Sequence, residues 1–374
     1  MESCEVIIVG GGLAGLTAAI HLSQLGHQVT LFEKNTYPKH KVCGEYISNE
    51  VIPYLNSLKL NLGELHPTNI TKLHFSTATG KNLTAVLPLG GFGVSRYALD
   101  NFLFEKAVAN GCQIIQQNVE NVAFENDYFT IVTAEDTKFQ SKIVLGAFGK
   151  RSSIDQKMHR DFISQKSPWL AVKAHYKGIF PNDVVGLHNF KGGYCGVSKV
   201  ENDVINICYL ADYGTFKNYK NIEEYQSAVV AKNPNLNSIL SKTTLVSEKP
   251  LTISQVSFAE KHAVDNHILM IGDTAGLIHP LCGNGMAMAI HSAKIASELV
   301  SKYLKKELPS REILENQYTA EWNYNFKKRL RTGRWLAALL EKPKLSEATL
   351  RILTAFPFLL PIIINKTHGK PITL

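Results

Sequence analysis

Apolar positions near the N-terminus follow a strand, helix, strand order. Residues 5–9 (EVIIV) are an almost unbroken apolar run, which is typical of a short buried β-strand. Residues 13–25 repeat their apolar positions at helical spacing, and residues 28–32 (QVTLF) form a second strand-like run. This pattern predicts a βαβ unit, in which a helix connects two parallel strands.

The centre of the chain changes to a strand-rich pattern that follows a predicted helix at residues 98–110. The predicted strands, of which the last three alternate apolar and polar positions, cover residues 113–116, 128–134, 142–145, 169–177, 184–190 and 204–210. Residues 71–88 also predict strands, with a turn at 79–81. We therefore expect a second, antiparallel sheet that is assembled from two separated segments.

The last third of the chain returns to helical spacing. Residues 268–271 predict a buried strand, a glycine-rich loop follows, and residues 286–303 predict a helix. From residue 311 the pattern is mostly helical. Prolines interrupt it at Pro343, Pro357 and Pro361.

Composition narrows the class of protein without naming a function. The chain has 374 residues, of which 45% are hydrophobic, so it is long enough for two joined domains with a large core. Its six cysteines are scattered without CxxC pairs, which favours neither a zinc site nor a disulfide framework. The predicted first strand begins without a basic leader and cleavage site, so we expect a cytoplasmic protein. The net charge is +8, but basic residues are not interleaved with a stacking platform of aromatic residues, so we expect no nucleic-acid partner.

The turn inside the predicted βαβ unit carries the first candidate site. Gly10, Gly12 and Gly15 in GGGLAG match the G-x-G-x-x-G spacing between a strand and a helix. In that context the amide groups at the helix N-terminus can hold a pyrophosphate. Glu33 closes the second strand at about the distance, ~20 residues on, where an acid binds a ribose hydroxyl. Lys34 follows it and is a further candidate for the cofactor site.

A second glycine-rich loop, GDTAGLIHPLCGNGMA at residues 272–287, also joins a predicted strand to a predicted helix. FAD is longer than the ADP portion that the first turn can hold, so its ribityl chain and ring need contacts from elsewhere in the chain. Asp273 can accept a hydrogen bond from a hydroxyl group, and Gly283, Asn284 and Gly285 allow a close approach of backbone amides, with Met286 beside them. The two loops together predict FAD as the cofactor.

Four motifs, in this order, resemble the FAD-dependent oxidoreductases of the para-hydroxybenzoate hydroxylase and geranylgeranyl reductase superfamily. They are VGGGLAG with Glu33, PKHKVCGE at 38–45, SRYALDNFLFEKAVANG at 95–111 and GDTAGLIHPLCGNGMAMAI at 272–290. The resemblance implies that Arg96 approaches FAD and that Val119 lies near its adenine. Lys41 has the charge to meet phosphates or the reduced ring.

The resemblance and the patterns together predict an α/β fold: a Rossmann-like FAD-binding domain, an inserted antiparallel β-sheet substrate domain and a helical C-terminal segment. We assign residues 1–70, 89–165 and 258–310 to the FAD-binding domain and residues 71–88 and 166–257 to the substrate domain. The helical segment covers residues 311–374.

One position departs from the superfamily. Its members usually carry an Asp-Gly pair, implicated in handling both FAD and NAD(P)H, where this chain has GAFGKRS with Phe148 in place of the acid. The sequence lacks a second convincing dinucleotide fingerprint, so NADPH or NADH would dock only transiently as a reductant.

Candidate catalytic side chains lie in two of the motifs. Cys43 resembles the cysteine of the geranylgeranyl reductase CGE-like loop, which lies close to the flavin; a small buried hydrophobe is an equally good interpretation. His279 and Cys282 flank a proline in the second loop and would face the substrate side of the ring. His279 can relay protons, but a solvent-facing loop histidine is the commoner case.

Three reaction hypotheses follow. The first is a monooxygenase-type flavoenzyme that acts on an apolar or aromatic small molecule or lipid. The second is a geranylgeranyl-reductase-like flavoenzyme that reduces carbon–carbon double bonds. The third, from another class, is a non-catalytic flavin-binding or sensing protein. A flavin halogenase is disfavoured because the WxWxIP segment of that group is not found in the sequence.

The most apolar stretch is TLRILTAFPFLLPIIIN at residues 349–365. Arg351 and two prolines break it, which argues against a transmembrane span. It can pack on the core of the protein, close the substrate cavity, or rest on a membrane together with the basic run at residues 326–335. A peripheral membrane contact through this segment therefore remains one expectation.

Overall fold

The computed structural model describes residues 2–373 and places seventeen strands in two sheets within that range. The strands are β1 (Glu2–Val9), β2 (Val29–Phe32), β3 (Tyr46–Ser48), β4 (Thr68–Ser76), β5 (Asn82–Gly93), β6 (Gln113–Ile115), β7 (Val119–Glu125), β8 (Tyr128–Thr133), β9 (Lys138–Gly146), β10 (Trp169–Gly178), β11 (Val184–Phe190), β12 (Gly193–Lys199), β13 (Ile205–Asp212), β14 (Thr243–Leu245), β15 (Leu251–Ser254), β16 (Val264–Asp265) and β17 (Ile268–Met270).

Helices connect and cover these strands. They are α1 (Leu13–Gln24), α2 (Ile52–Ser57), α3 (Arg96–Ala109), α4 (Ser153–Lys157), α5 (Tyr213–Phe216), α6 (Ile222–Ala228), α7 (Pro234–Leu240), α8 (Gly285–Leu304), α9 (Arg311–Trp322), α10 (Lys328–Leu340), α11 (Pro343–Ala355) and α12 (Leu359–Thr367).

The first sheet has the order β16-β17-β9-β1-β2-β6, and the β7–β8 hairpin attaches to β9. Strand β1 pairs in parallel with both β2 and β9. Its residues Val6–Val9 are all buried, as expected of a parallel strand that is covered on both faces. Helix α1 packs between α3 and α8, which confirms the Rossmann-like βαβ prediction and brings the helix after the second glycine loop beside the helix after the first.

The second sheet has the order β14-β10-β13-β12-β11-β4-β5-β3, with β15 also paired to β10. It was expected to be antiparallel, and it is so except for β4 and β11, which pair in parallel. Strand β4 comes from the early segment and pairs with β11, the outer strand of the β11–β12–β13 meander, while β10 pairs with β13 at the opposite edge of that meander. One face of the sheet packs on α6 and α7, and the other packs on loop residues that include Val42, Leu277 and Leu281.

The strands of the second sheet come from separated segments, as the pattern predicted. Strand β3 also pairs with β5, although residues 46–48 lie in a segment assigned to the FAD-binding domain. The domain boundaries themselves stay a prediction. The C-terminal segment is helical, and α10 packs on α11 and α12 while α12 also contacts β5.

Candidate functional site

The first glycine turn is tight enough to require glycine at two of its positions. Gly10 has φ +110°, and a Cβ there would lie 2.3 Å from the carbonyl oxygen of Ala147. A Cβ on Gly15 would lie 2.0 Å from the carbonyl oxygen of Gly10. The turn therefore brings β1, β9 and α1 into direct backbone contact, as the G-x-G-x-x-G spacing predicted.

The start of α1 is left open. Gly12 occupies the N-cap position and has no side chain with which to cap the first amides, whereas Ser95 caps α3 through a bond from the Ala98 amide. Uncapped amides at a helix N-terminus suit an anion. Gly12 also lies beside the guanidinium of Arg96, 3.8 Å from where its Cβ would be.

Glu33 is fixed at the end of β2 by backbone amides. Its carboxylate accepts hydrogen bonds from the Gly11 amide at 2.8 Å and the Asn35 amide at 2.9 Å. The Tyr37 hydroxyl donates to the Gly11 carbonyl at 2.6 Å and closes the turn from the other side. Glu33, Lys34 and the buried Val119 all line the same cavity.

The second glycine loop bends twice before α8 begins. Gly272 has φ +62° and Gly283 has φ +63°, both in the left-handed region that favours glycine. Asp273 lies on the cavity wall, and its carbonyl accepts a hydrogen bond from the Lys261 ammonium at 2.8 Å. Gly283, Gly285 and Met286 also line the cavity, so the N-terminus of α8 opens onto it.

Asn284 and Gly15 were predicted to belong to the cofactor site, but neither of them lines the cavity. Asn284 is fully buried, and its amide donates to Glu50 at 3.0 Å and accepts from Arg329 at 3.3 Å. Its side chain thus supports the loop from behind. Any cofactor contact of Asn284 would have to come from its backbone.

Asp100 pairs with both cations that were predicted to meet the cofactor. Arg96 donates to it twice, at 2.7 Å each, and Lys41 lies at 2.8 Å. Burial by itself raises the pKa of Asp100, but the two cations lower it below its ordinary value. Arg96 and Lys41 therefore form a preset pair of cations on the cavity wall, held by one buried carboxylate.

Cys43 lies on the cavity wall beside the second loop, and its thiol is 3.5 Å from the sulfur of Met286. This contact brings together two side chains that lie 243 residues apart. Cys282 also lines the cavity, and burial raises its pKa to about 12, so its thiol stays protonated at neutral pH.

His279 does not line the cavity and is not the solvent-facing histidine that is common in loops. Its ring is buried among Trp169, Tyr194 and Phe258. Burial lowers its pKa to about 4, so it is neutral at neutral pH. Among the described residues neither ring nitrogen has a hydrogen-bond partner. The geometry gives His279 a packing role, and the predicted proton relay stays a prediction.

The sequence analysis missed a buried ionic network next to Cys43. Glu45 is fully buried at φ +53° and accepts hydrogen bonds from Lys173 at 3.0 Å and His175 at 2.6 Å. It also accepts the amide of Arg96 at 2.9 Å. Burial raises the pKa of Glu45, but His175 and Lys173 outweigh it and lower the pKa. Glu45 itself was visible in the sequence as the last residue of the CGE motif at 43–45. Its partners could not be found there because they lie on β10.

A cavity of about 930 Å³ joins these features. At what we call the glycine end, the two glycine loops, Glu33, Val119 and Arg96 line it. At the other end, which we call the apolar arm, the second sheet and residues 335–368 line it. The uncapped amides, the close-packed glycines and the fixed acid at the glycine end fit an FAD molecule. Phe148 also lines the cavity.

Comparison with known proteins agrees with this geometry. The family model described as "FAD binding domain" matches residues 3–321. The chain is 22% identical to the digeranylgeranylglycerophospholipid reductase of Methanococcus vannielii, with 91% of this chain and 87% of that protein covered. It is 22% identical to the menaquinone reductase of Mycobacterium tuberculosis, covering 93% and 86%.

A solved structure has the same fold. It is that of pqsL, described as a probable FAD-dependent monooxygenase from Pseudomonas aeruginosa; its TM-score is 0.72 at 16% identity, with 94% of this chain and 100% of that chain covered. The family match covers most of the chain and includes both glycine loops. The chain therefore belongs to the FAD binding domain family, and it is an FAD-dependent oxidoreductase.

Proposed function

We propose that this oxidoreductase reduces carbon–carbon double bonds in a long-chain isoprenoid lipid. The observation that carries the proposal is the apolar arm, which extends the cavity beyond the glycine end. An FAD molecule alone does not need this arm. A substrate with a long hydrocarbon chain would fill it.

The walls of the arm match such a chain in chemistry. The second sheet contributes Phe75, Leu187, Leu210 and Ile253, among others. The C-terminal helices contribute Leu336, Leu340, Leu353, Leu360 and Ile364. Among the described residues, neither of these two wall regions contributes a Lys, Arg, Asp or Glu side chain. Binding an apolar chain there removes its surface from water, at about 25 cal/mol per Å².

Two relatives support the choice of reaction. The curated names of the archaeal and mycobacterial proteins state that they reduce a digeranylgeranyl lipid and menaquinone. Both match over most of their length. The likeness to the probable monooxygenase concerns the fold alone, so oxygenation of an apolar substrate, our first sequence hypothesis, stays a prediction that the same experiment tests.

Some residues of the chain would hold FAD, and others would orient the substrate and shield it from water. FAD, when bound, supplies the electron pair for reduction of the double bond. The glycine turns, Glu33 and the Arg96–Lys41 pair would hold the cofactor. The apolar arm would orient the substrate and exclude water, and the thiol of Cys43 lies on the cavity wall in contact with Met286.

The electron donor of the enzyme is a separate proposal. Phe148 replaces the acid that the superfamily usually carries, and its ring folds over Gly146, close to where a Cβ of that residue would lie. This apolar surface does not offer the carboxylate of the usual Asp-Gly pair. We propose that NADPH or NADH docks only transiently, and the rates of FAD reduction by each nicotinamide and by dithionite would test it.

Anaerobic turnover tests the proposed reaction. The purified protein with FAD is reduced by dithionite and offered the digeranylgeranyl lipid or menaquinone. The products are extracted from the protein and exposed to air, which restores any quinone ring that dithionite has reduced, and are then read by mass spectrometry. We expect a gain of two hydrogen atoms for each double bond reduced, and a slower reaction in Cys43→Ala. A product that gains one oxygen atom in air, together with no anaerobic product, would favour oxygenation. A protein that binds FAD but turns over neither substrate would favour the non-catalytic hypothesis.

A further inference from the structure

The C-terminal helices expose an unusual number of large apolar side chains. We call the following residues the C-terminal patch: Trp335, Leu345, Ile352, Phe356, Phe358 and Ile362, with exposed fractions between 46% and 64%. They come from α10, α11, α12 and the short connection between the last two helices. A large cluster of exposed apolar side chains usually marks a surface that binds a partner.

The patch adjoins the part of the apolar arm that reaches the surface, which we call its mouth. Trp335 and Ile352 are exposed, and both also line the cavity. Leu359 and Ile363 are half-buried beside them and line it as well. A lipid chain that enters the arm between α10, α11 and α12 would therefore pass over this patch.

Helix α12 is apolar on two faces. Leu360, Ile364 and Thr367 are buried at helical spacing and pack towards the protein. Ile362 and the preceding Phe358 are exposed, on positions that these buried residues leave free. Helix α12 and the residue before it therefore also present large apolar side chains on their exposed side.

Positive charge is concentrated in the same segment. Residues 327–370 contain ten Lys and Arg residues and two acidic residues, an excess of eight that equals the net charge of the whole chain. The remainder of the chain is therefore balanced. Exposed cations flank the patch: Lys342, Lys344, Arg351, Lys366 and Lys370. This distribution is complementary to an anionic surface.

The helices have the dimensions of an interfacial element. Within residues 2–373 we find no single helix that is long and apolar enough to cross a membrane; only the bent pair Lys344–Ala355 and Leu359–Thr367 meets the length and composition together, with a 120° angle at the break. Short helices with exposed apolar residues and flanking cations lie in the plane of the headgroups.

We infer that the C-terminal patch docks on an anionic phospholipid bilayer, so that the mouth of the apolar arm opens into the acyl region and an isoprenoid lipid enters without crossing water. This inference rests on the proposed function for its purpose and extends it to a partner. The bilayer is favoured over a second copy of the chain, because two patches that each carry this positive excess would repel each other.

Vesicle binding by the full chain tests the inference without any substrate or reduction. The FAD-loaded protein is sedimented with vesicles of phosphatidylcholine and phosphatidylglycerol in equal parts, and with pure phosphatidylcholine vesicles. We expect binding to the anionic vesicles that falls as salt is raised, and at least about tenfold weaker binding to the neutral ones. Equal binding to both, or to neither, would overturn the inference.

Matched variants locate the contact. Phe356→Ser with Phe358→Ser should weaken anionic vesicle binding by about tenfold or more. Ile179→Ser with Tyr128→Ser should not, because Ile179, directly after β10, and Tyr128, on β8, are exposed apolar residues outside the patch. Lys342→Glu with Lys344→Glu should weaken it similarly, and Lys217→Glu with Lys220→Glu should not. FAD content and Tm confirm that each variant is folded.

The outcomes separate this inference from the proposed reaction. Vesicle binding that the patch variants abolish supports the inference even if neither lipid is reduced. If the protein reduces a detergent-dispersed lipid but does not bind vesicles, the inferred docking surface is wrong and the proposed reaction is supported. A dimer in sedimentation velocity that Phe356→Ser with Phe358→Ser dissociates would assign the patch to a second copy and overturn the inference.

Discussion

Glu45 connects the loop of Cys43 to the second sheet. Its carboxylate receives Lys173, His175 and the Arg96 amide, so every oxygen has a partner in a fully buried site. Burial of the ionisable side chains of Glu45, Lys173 and His175 is costly unless each finds its hydrogen-bond partners. Complete, it fixes the position of residues 43–45 on the cavity wall relative to β10.

Replacing Glu45 by Gln should destabilise the protein strongly. The change leaves Lys173 buried without its countercharge, and breaking a buried pair costs about 3–5 kcal/mol. Urea unfolding of the FAD-free and FAD-loaded protein measures this loss. Glu64→Gln, which removes the partner of Lys106 at the surface, is the control and should change stability little. Equal effects of the two substitutions would contradict a central role for Glu45.

His279 gives the stability of the protein a defined pH dependence. Its pKa is lowered from 6.5 to about 4 by burial, so the unfolded chain binds a proton at this residue between those values and the folded chain does not. Its contribution is therefore fully present above pH 6.5 and is lost as the pH falls towards about 4. The loss is about 3 kcal/mol at most.

The variant His279→Phe should remove this part of the acid sensitivity. Its free energy of unfolding should fall less than that of the wild type across the same interval, as measured by urea unfolding at both ends. His262→Phe, at an exposed histidine, should keep the wild-type slope. If His279→Phe keeps that slope as well, the ring is not buried in its neutral form as the geometry requires.

At the scale of elements, the parts that bind FAD could be predicted and the parts that join them could not. The turn of Gly10, Gly12 and Gly15 is local, so its strand, its helix and its acid can be recognised within one short segment of the sequence. Strand β12 was missed because Gly193 and Gly196 interrupt its pattern, and it is stabilised by pairing on both sides with β11 and β13. Propensity alone does not record such tertiary support.

Side-chain partners that are distant in the chain were equally hidden. Glu45 stands 128 residues from Lys173 and 130 from His175, so their spacing carries no periodic signal. Asn284 was predicted to bring a backbone amide close to the cofactor, and that contact stays a prediction, but the position of its side chain could not be predicted. Its side chain turns away because Glu50 and Arg329 offer it buried partners on the other side.

Glu50 ties three elements together behind the second loop. Its carboxylate accepts from Asn284, from Arg329 at 3.2 Å and from the Gly369 amide at 2.7 Å. Its backbone carbonyl also accepts the Ile372 amide at 2.7 Å. The loop before α8, helix α10 and the segment after α12 thus share one buried carboxylate.

Substituting Glu50 by Gln should therefore loosen the end of the chain as well as destabilise the fold. We expect a loss of about 3 kcal/mol, because Arg329 would remain half-buried without a countercharge. Hydrogen exchange should rise in residues 359–372 and in the loop at 272–284, while the strands β10, β11, β12 and β13 stay protected. Uniform exchange across all of these segments would show that Glu50 does not couple them specifically.

Across the whole molecule, one cavity links the two sheets and the C-terminal helices. The first sheet supplies backbone groups and charges at the glycine end, and the second sheet supplies apolar side chains from strands that face it. Neither domain forms this space alone. The position where the two contributions meet is lined by Cys43, Cys208 and Gly196, and β12 and β13 hold the last two in register.

Gly196 is the place at which added bulk should separate substrate binding from FAD binding. A Cβ there would have its nearest neighbour, the Cys208 carbonyl oxygen, at 3.6 Å, which is an ordinary contact, so Ala is sterically accepted and the series Ala, Val and Leu adds bulk beyond that Cβ. Each larger side chain fills more of the passage to the apolar arm. We expect kcat/KM for the isoprenoid lipid to fall in that order, by about tenfold or more for Gly196→Leu, since the added side chain and the hydrocarbon chain of the lipid cannot occupy the same space. FAD content and reduction by dithionite should stay unchanged, and Ala109→Leu, at an exposed position of α3, should affect none of these quantities. A constant kcat/KM along the series would mean that the substrate does not pass Gly196, whereas a parallel loss of FAD would place the cofactor itself across this strand.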